Sequence, residues 1–272
     1  MRPMEDNMRK YIRTMYIVFR RLKEFLVNFI GQMMYFPIKF AILYFIWSYI
    51  YGNSAVDASY SFEEMLGYYF ILAIVQTCIM PCGLAAYEEW ETINSGKMNL
   101  YLTKPISYPI YMYAEKMGSF LIYMATGLLF IYVTVFVMQF FGVELVVRHT
   151  GWFCISLFMG FTIMVNLFTI IGHITFWVEN VLSLRDNLWN IIKIFSGEIF
   201  PIAMYPLFLQ KICGFLPFQY IYFQPISILQ GKIPVDKIVQ NLTVQAGWCL
   251  LLIVVNAIVW KKGNVRYVSQ GG

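Results

Sequence analysis

The chain has 272 residues, of which 60% are hydrophobic, 19% aromatic and only 13% charged, and its formal net charge is +5. This balance lies far outside the range of soluble domains and excludes a water-soluble enzyme or binding module. The sequence therefore predicts an all-α polytopic membrane protein. The basic excess requires no nucleic-acid partner, because basic side chains beside membrane spans are attracted to anionic lipids.

The first 24 residues are basic and amphipathic. At 100° per residue, one face of a helix collects the apolar side chains Ile12, Met15, Phe19 and Leu22. The opposite face is basic and includes Arg13, Arg20 and Arg21. This pattern predicts an elbow helix at residues 1–24 that lies in the membrane interface and leads into the first span.

Apolar runs of about 20 residues predict membrane spans, because each helical residue advances about 1.5 Å through a hydrocarbon core about 30 Å thick. Such runs place spans at residues 25–51, 65–86, 117–141, 152–178 and 242–260. Between the last two, prolines and charged residues interrupt the apolar sequence. We expect a short span there, at residues 188–201, followed by re-entrant outer helices at residues 202–230. The prediction is six spans within a transmembrane domain at residues 25–260, with a tail at residues 261–272.

The distribution of lysine and arginine predicts the orientation. Most of the 20 basic residues fall in the N-terminal segment, the second and fourth connections and the tail. Those predicted on the other side are Arg148, Lys211, Lys232 and Lys237. The positive-inside rule then predicts cytoplasmic termini and a cytoplasmic second connection.

This second connection, residues 87–116, is too short for an enzyme domain but long enough for one or two short helices. Gly96 and Pro105 are expected to limit them. An acidic helix, a glycine and a leucine-rich stretch ending in proline resemble the E-x-x-x-G-T-L-x-x-L-L-x-x-P signature of ABC type-2 permeases. Lys97 and Met98 stand where that family often has Thr and Leu. The residues that carry the resemblance are Glu88, Glu89, Glu91, Gly96, Leu100, Tyr101, Leu102 and Pro105.

The resemblance implies that this loop is a coupling helix that docks on an ATP-binding subunit. The implied contact residues are Glu88, Glu89, Glu91, Asn94, Gly96, Lys97, Leu100 and Pro105. The chain has no G-x-x-x-x-G-K-[ST] phosphate-binding loop. ATP and Mg²⁺ would therefore be bound by the partner subunit, and this chain would be a transport subunit without a cofactor or catalytic residues. A second permease subunit, either another copy or a sister chain, is implied as well.

Two further stretches resemble the same family. Ser196–Lys232 is similar to the region where short re-entrant helices cap the pathway on the outer side. The implied outer-gate residues are Glu198, Pro201, Pro206, Pro217 and Pro225. Trp260–Gly272 resembles the basic end of bacterial multidrug or viologen-type exporters. This implies export of a drug-like molecule, peptide or lipid from the bacterial cytoplasmic membrane, with a polysaccharide or lipid-linked glycan as the alternative.

A few polar residues are predicted at membrane depth, where charge is costly and usually functional. Lys39 either pairs with Glu198 or extends its ammonium group to the interface. Asn166 and His173 either line a polar pathway or form hydrogen bonds in the core. The sequence shows no metal-ligand cluster, disulfide framework or catalytic set, which disfavours an intramembrane enzyme. A passive channel or scaffold would have no use for a docking loop.

Overall fold

The computed structural model describes residues 2–20, 22–53, 60–140 and 147–267, and every regular element in these ranges is helical. This confirms the all-α class. The α-helices are α1 Arg2–Arg20, α2 Leu22–Asn53, α3 Phe62–Ile79, α4 Ala85–Asn94, α5 Asn99–Leu102, α6 Tyr108–Phe140, α7 Thr150–His173, α8 Leu182–Phe195, α9 Leu207–Phe215, α10 Phe223–Leu229 and α11 Val235–Asn264. Short 3-10 turns are found at Met80–Leu84, Ile174–Phe176, Ile202–Met204 and Pro217–Tyr220.

Within the described ranges, 4 helical runs are long and apolar enough to cross a membrane: Phe62–Asn94, Tyr108–Phe136, Thr150–Phe176 and Val235–Asn264. Helix α2 has 32 residues and is therefore also long enough to cross a membrane. It contains Lys39, whose side chain lies outside the described part of the chain. Helix α8 has only 14 residues and ends at Phe195, whereas the sequence analysis placed a span at residues 188–201.

The second predicted span and the start of the predicted loop form one helical run. The 3-10 turn Met80–Leu84, which contains Pro81, joins α3 directly to α4. At about 1.5 Å per residue, this run of 33 residues is roughly 50 Å long, which exceeds the hydrocarbon thickness of about 30 Å. One of its ends must therefore extend beyond the hydrocarbon core.

Helix α6 begins earlier than predicted. The sequence analysis assigned residues 108–116 to the loop, but they form the first turns of α6. Pro109 lies in the first turn, where its missing N–H costs nothing. The charged residue Lys116 made this stretch look like a loop, yet its side chain is buried and forms an ion pair with Glu88 of α4.

Helix α7 lies at the centre of the fold and packs against α4, α10 and α11. Small residues allow the closest approaches. A Cβ on Gly160 would lie 2.9 Å from the carbonyl oxygen of Tyr220, and one on Gly172 would lie 2.5 Å from Glu89 Oε2. Glycine is required at both positions because no neighbouring backbone or buried side chain can move aside cheaply.

Residues 196–232, here called the broken segment, contain only short helices. The prolines lie at their starts: Pro206 precedes α9, Pro217 opens a 3-10 turn and Pro225 lies in the first turn of α10. Such positions suit proline, because the first N–H groups of a helix have no intrahelical partner. The prolines therefore divide the segment into short helices.

Tyrosine hydroxyls satisfy the carbonyl groups that the broken segment leaves outside helices. Tyr68 of α3 donates to the carbonyl oxygen of Gly197, and Tyr69 donates to that of Ile199, each at 2.6 Å. The carbonyl oxygen of Ser196 accepts from the backbone N–H of Phe223 at 3.0 Å. Irregular backbone at membrane depth is stable only with such partners.

The far end of the broken segment meets the start of α3. Ser61 and Glu64 form a reciprocal capping box, and Glu64 also pairs with Lys232 at 2.5 Å. The Lys232 ammonium group lies 4.6 Å from the centre of the Tyr60 ring. Burial raises the pKa of Tyr60 to about 12, so its hydroxyl stays protonated at neutral pH.

Candidate functional site

Residues 85–107, here called the α4–α5 segment, contain most of the motif that the sequence analysis identified. Gly96 adopts a φ of 72°, a left-handed conformation that glycine takes without a steric penalty, and it ends α4. The chain then turns into α5, with Met98 buried beneath it. Gly96 thus has a conformational role.

Two neighbouring regions hold the α4–α5 segment in place. The Trp90 indole N–H donates to the carbonyl oxygen of Glu179 at 2.8 Å, and the Asn94 side-chain amide reaches the same oxygen at 3.4 Å. On the other side, the hydroxyl of Tyr11 in α1 accepts from the backbone N–H of Ser107 at 2.8 Å. The segment is therefore a supported projection.

The outward surface of this segment combines charge with apolar area. Leu100 is 60% exposed. Glu91 and Lys97 are exposed and form an ion pair at 3.6 Å, while Pro105 is exposed and Glu88, Asn94 and Gly96 are half-buried. An exposed leucine flanked by charged groups is suited to contact with another protein.

Glu89 corrects the predicted contact surface. The sequence analysis placed it among the exposed docking residues, but its side chain is 0% exposed. In α4 it shares one face with the other buried residues of that helix: Ala85, Ala86 and Ile93. The helical period therefore turns Glu89 inward, against α7.

Inside the fold, Glu89 joins a chain of hydrogen bonds that we call the His173 network. His173 Nδ1 lies 2.5 Å from Glu89 Oε1, and His173 Nε2 lies 2.9 Å from Asn256 Oδ1 of α11. The side-chain amide of Asn256 donates to Thr169 Oγ1 at 2.5 Å. The network thus connects α4, α7 and α11 through buried groups.

The hydrogen-bond pattern places one proton between Glu89 and His173. The Thr169 hydroxyl donates to the carbonyl oxygen of Val165 at 2.8 Å, so its oxygen accepts from the amide of Asn256. Asn256 consequently presents its carbonyl oxygen to His173, and Nε2 must donate. The 2.5 Å contact at Nδ1 then holds a single proton, either on the imidazole or on the carboxyl. The pair is neutral overall in both forms, which reduces the cost of its burial.

Aromatic rings enclose the His173 network. The Trp260 ring lies 5.1 Å from the His173 ring, and Tyr108 of α6 stacks on Trp260 at 5.5 Å. Phe176 also packs against Trp260, in an edge-type contact with the ring centres 5.7 Å apart. These rings exclude water and therefore strengthen the hydrogen bonds between the polar groups that they surround.

A second set of buried polar groups, the Gln245 network, holds the broken segment. The amide nitrogen of Gln245 in α11 donates to the carbonyl oxygens of Ser156 at 2.8 Å and Tyr220 at 3.0 Å. Its Oε1 accepts from the hydroxyl of Ser156 and the amide of Gln224, both at 2.9 Å. Both hydrogens and the oxygen of the Gln245 amide are therefore engaged in linking α7, α11 and the broken segment.

The other predicted site residues are distributed as follows. Asn166 is buried, and its amide donates to the carbonyl oxygen of Thr162 on the same helix at 2.8 Å. Glu198 is half-buried in the broken segment, where Pro201, Pro217 and Pro225 are buried and Pro206 is exposed. Arg13 and Arg20 are exposed on α1, and Arg21 lies outside the described residues. The pairing of Lys39 with Glu198 stays a prediction, because the Lys39 side chain is not among those that the structure describes.

The structure adds functional candidates that the sequence analysis missed, chiefly Asn256 and Gln245. Their position on α11 could have indicated them from the sequence. Both share a helix face with its buried apolar residues, which include Ile238, Leu242 and Leu252. A polar side chain within an apolar stripe indicates a buried hydrogen bond.

Alanine substitutions at Glu89 and Glu91 compare the stability contributed by a buried glutamate with that of an exposed one. Glu89→Ala leaves the ring nitrogen of His173 without its partner, which should lower the free energy of unfolding by about 3 kcal/mol. Glu91→Ala makes the same chemical change two residues along the chain, but it removes only an exposed ion pair and should have little effect. Thermal unfolding of both variants in detergent measures the difference. Equal stability of the two would contradict the burial of Glu89.

A comparison with known protein families matches most of this chain. A family profile described as ABC-2 family transporter protein matches residues 37–271, which include the α4–α5 segment and both buried networks. No curated protein matches the chain. Since the profile covers most of the sequence, the chain belongs to the ABC-2 transporter family, whose members are permease subunits in the membrane.

Proposed function

We propose that this permease is the membrane subunit of an ATP-driven exporter. The α4–α5 segment would receive the movement of an ATP-binding subunit, which would bind ATP and Mg²⁺. The observation that carries this proposal is the supported projection itself, with Leu100 and Lys97 facing outward and Met98 and Ile93 buried beneath. A projection anchored on several sides can transmit force, whereas a loose loop would bend.

The proposed membrane arrangement has six spans and cytoplasmic termini. Helix α2 and the four long apolar runs would supply five crossings, and α8 with the broken segment would supply a shorter, re-entrant sixth. The Tyr220 carbonyl lies against Gln245, ten residues into α11 and thus about 15 Å below the start of that helix. This depth supports a re-entrant outer segment.

Helix α1 would lie on the cytoplasmic surface of the membrane as an elbow helix. It packs against α6, where Val18 contacts the backbone at Gly118. Its exposed side combines apolar residues such as Tyr16 and Ile17 with Arg13 and Arg20. Apolar side chains flanked by arginines favour contact with anionic lipid.

We further propose that two permease subunits, identical or related, assemble with two ATP-binding subunits in a bacterial plasma membrane. A pathway between the permeases would carry a drug-like molecule, peptide or lipid outward. The resemblance of the α4–α5 motif to ABC type-2 permeases supports this two-subunit arrangement.

Charge reversal on the projection tests the docking surface. Lys97→Glu should weaken association with the co-expressed ATP-binding subunit about tenfold, because it replaces an exposed cation with an anion at the contact. Lys211→Glu, the same change on an exposed lysine of α9, should leave association unchanged. Affinity measured with purified subunits distinguishes the two variants. Equal binding by both would contradict the proposed surface.

Thiol labelling tests the orientation. Cys154 is partly exposed and the other four cysteines are buried, so a Cys154→Ser chain provides the background. In intact cells, a membrane-impermeant maleimide should label a Lys211→Cys variant but not a Lys97→Cys variant. Lys97→Cys should become labelled after permeabilisation. Labelling of Lys97→Cys in intact cells would place the α4–α5 segment outside and refute the proposed function.

A further inference from the structure

The two buried networks lie on the same face of α11. Gln245 and Asn256 are eleven residues apart, which is three helical turns and about 16 Å. Cys249 and Leu252, between them, are buried on that face as well. Because eleven residues at 100° each return almost to the starting direction, both amides point toward α7.

Both networks use α7 as their second anchor. At one end, Gln245 bonds to the hydroxyl and carbonyl groups of Ser156. At the other end, Asn256 bonds to Thr169 and His173. Between the two, the Cys249 thiol donates to the carbonyl oxygen of Met159 at 3.4 Å. Sliding or rotating α11 against α7 would therefore break hydrogen bonds at both ends at once, and buried polar groups without partners are costly.

Each network also holds a different third element. The His173 network reaches Glu89 in the α4–α5 segment, and the Gln245 network reaches the Tyr220 carbonyl and Gln224 in the broken segment. The α7–α11 pair thus connects the two parts of the molecule that the sequence analysis assigned to docking and to gating.

We propose that α7 and α11 move as one rigid unit that transmits movement of the α4–α5 segment to the broken segment, with Gln245 and Asn256 as its positioning residues. This inference rests on the proposed function, since it needs an ATP-binding subunit to supply the movement. It goes beyond that function by assigning the helices through which the movement passes within this chain.

A competing route runs through α3, which continues into α4 and contacts the broken segment through Tyr68 and Tyr69. That route passes through the 3-10 turn Met80–Leu84, where Pro81 lacks the N–H of a regular helix. Helices bend at such points. The α7–α11 pair carries polar bonds at both ends and is the stiffer connection.

The experiment uses the complex with the ATP-binding subunit in lipid nanodiscs. A Lys211→Cys reporter in the Cys154→Ser background is alkylated by a water-soluble maleimide, first without nucleotide and then after trapping with ATP and vanadate. In the parent complex, we expect trapping to change the alkylation rate. Gln245→Leu and Asn256→Leu should abolish this change while the complex still assembles and hydrolyses ATP.

Matched controls separate transmission from general damage. Thr243→Val removes a hydroxyl of α11 that bonds only to its own helix, and Gln219→Leu removes an amide that bonds within the broken segment. Both should keep the response of the reporter. Gln224→Leu removes one of the two bonds from Gln245 to the broken segment and keeps the bond to the Tyr220 carbonyl. It should therefore weaken the response of the reporter, and it replaces Gln245→Leu if that variant does not fold.

The outcomes are distinct. Failure of the unmodified chain to bind the ATP-binding subunit would refute the proposed function. A parent complex that hydrolyses ATP without any change at the reporter would refute the transmission. A response that persists undiminished in Gln224→Leu and Asn256→Leu, but disappears when Tyr68 and Tyr69 are both changed to phenylalanine, would assign the route to α3 instead.

Discussion

The contact between Glu89 and His173 is the constraint on which the rest of the structure depends. A carboxyl and an imidazole buried together must share a proton, because neither can reach water. This requirement fixes α4 against the end of α7, and Asn256 extends it to α11. Gly172 permits the necessary approach. The exposed projection is therefore held from the inside.

The same physical rule governs the other end of the molecule. Residues 196–232 lack long helices, so their carbonyl groups need partners from elsewhere. Tyr68, Tyr69 and Gln245 supply them. An irregular segment thus becomes a defined part of the fold through side chains of regular helices, and its position is tied to the helices that also hold Glu89.

The sequence predicted the membrane class, the helical fold and the motif around Gly96, because apolar length, glycine and proline act locally. It did not predict the burial of Glu89 or Lys116, because charged residues in a connection between two membrane spans are usually exposed. The helical face shared with Ala85 and Ile93 indicated the burial of Glu89. Its partners could not be predicted, since His173 and Asn256 are distant in sequence and meet it only through packing.

A double-mutant cycle on Glu89 and His173 tests the central contact most directly. The unfolding free energies of Glu89→Ala, His173→Ala and the double variant are measured in mixed micelles. If the two side chains depend on each other, the double variant should be less destabilised than the sum of the single ones, by about 2 kcal/mol. Additive effects, within about 0.5 kcal/mol, would show that the pair is not a unit and would contradict the account.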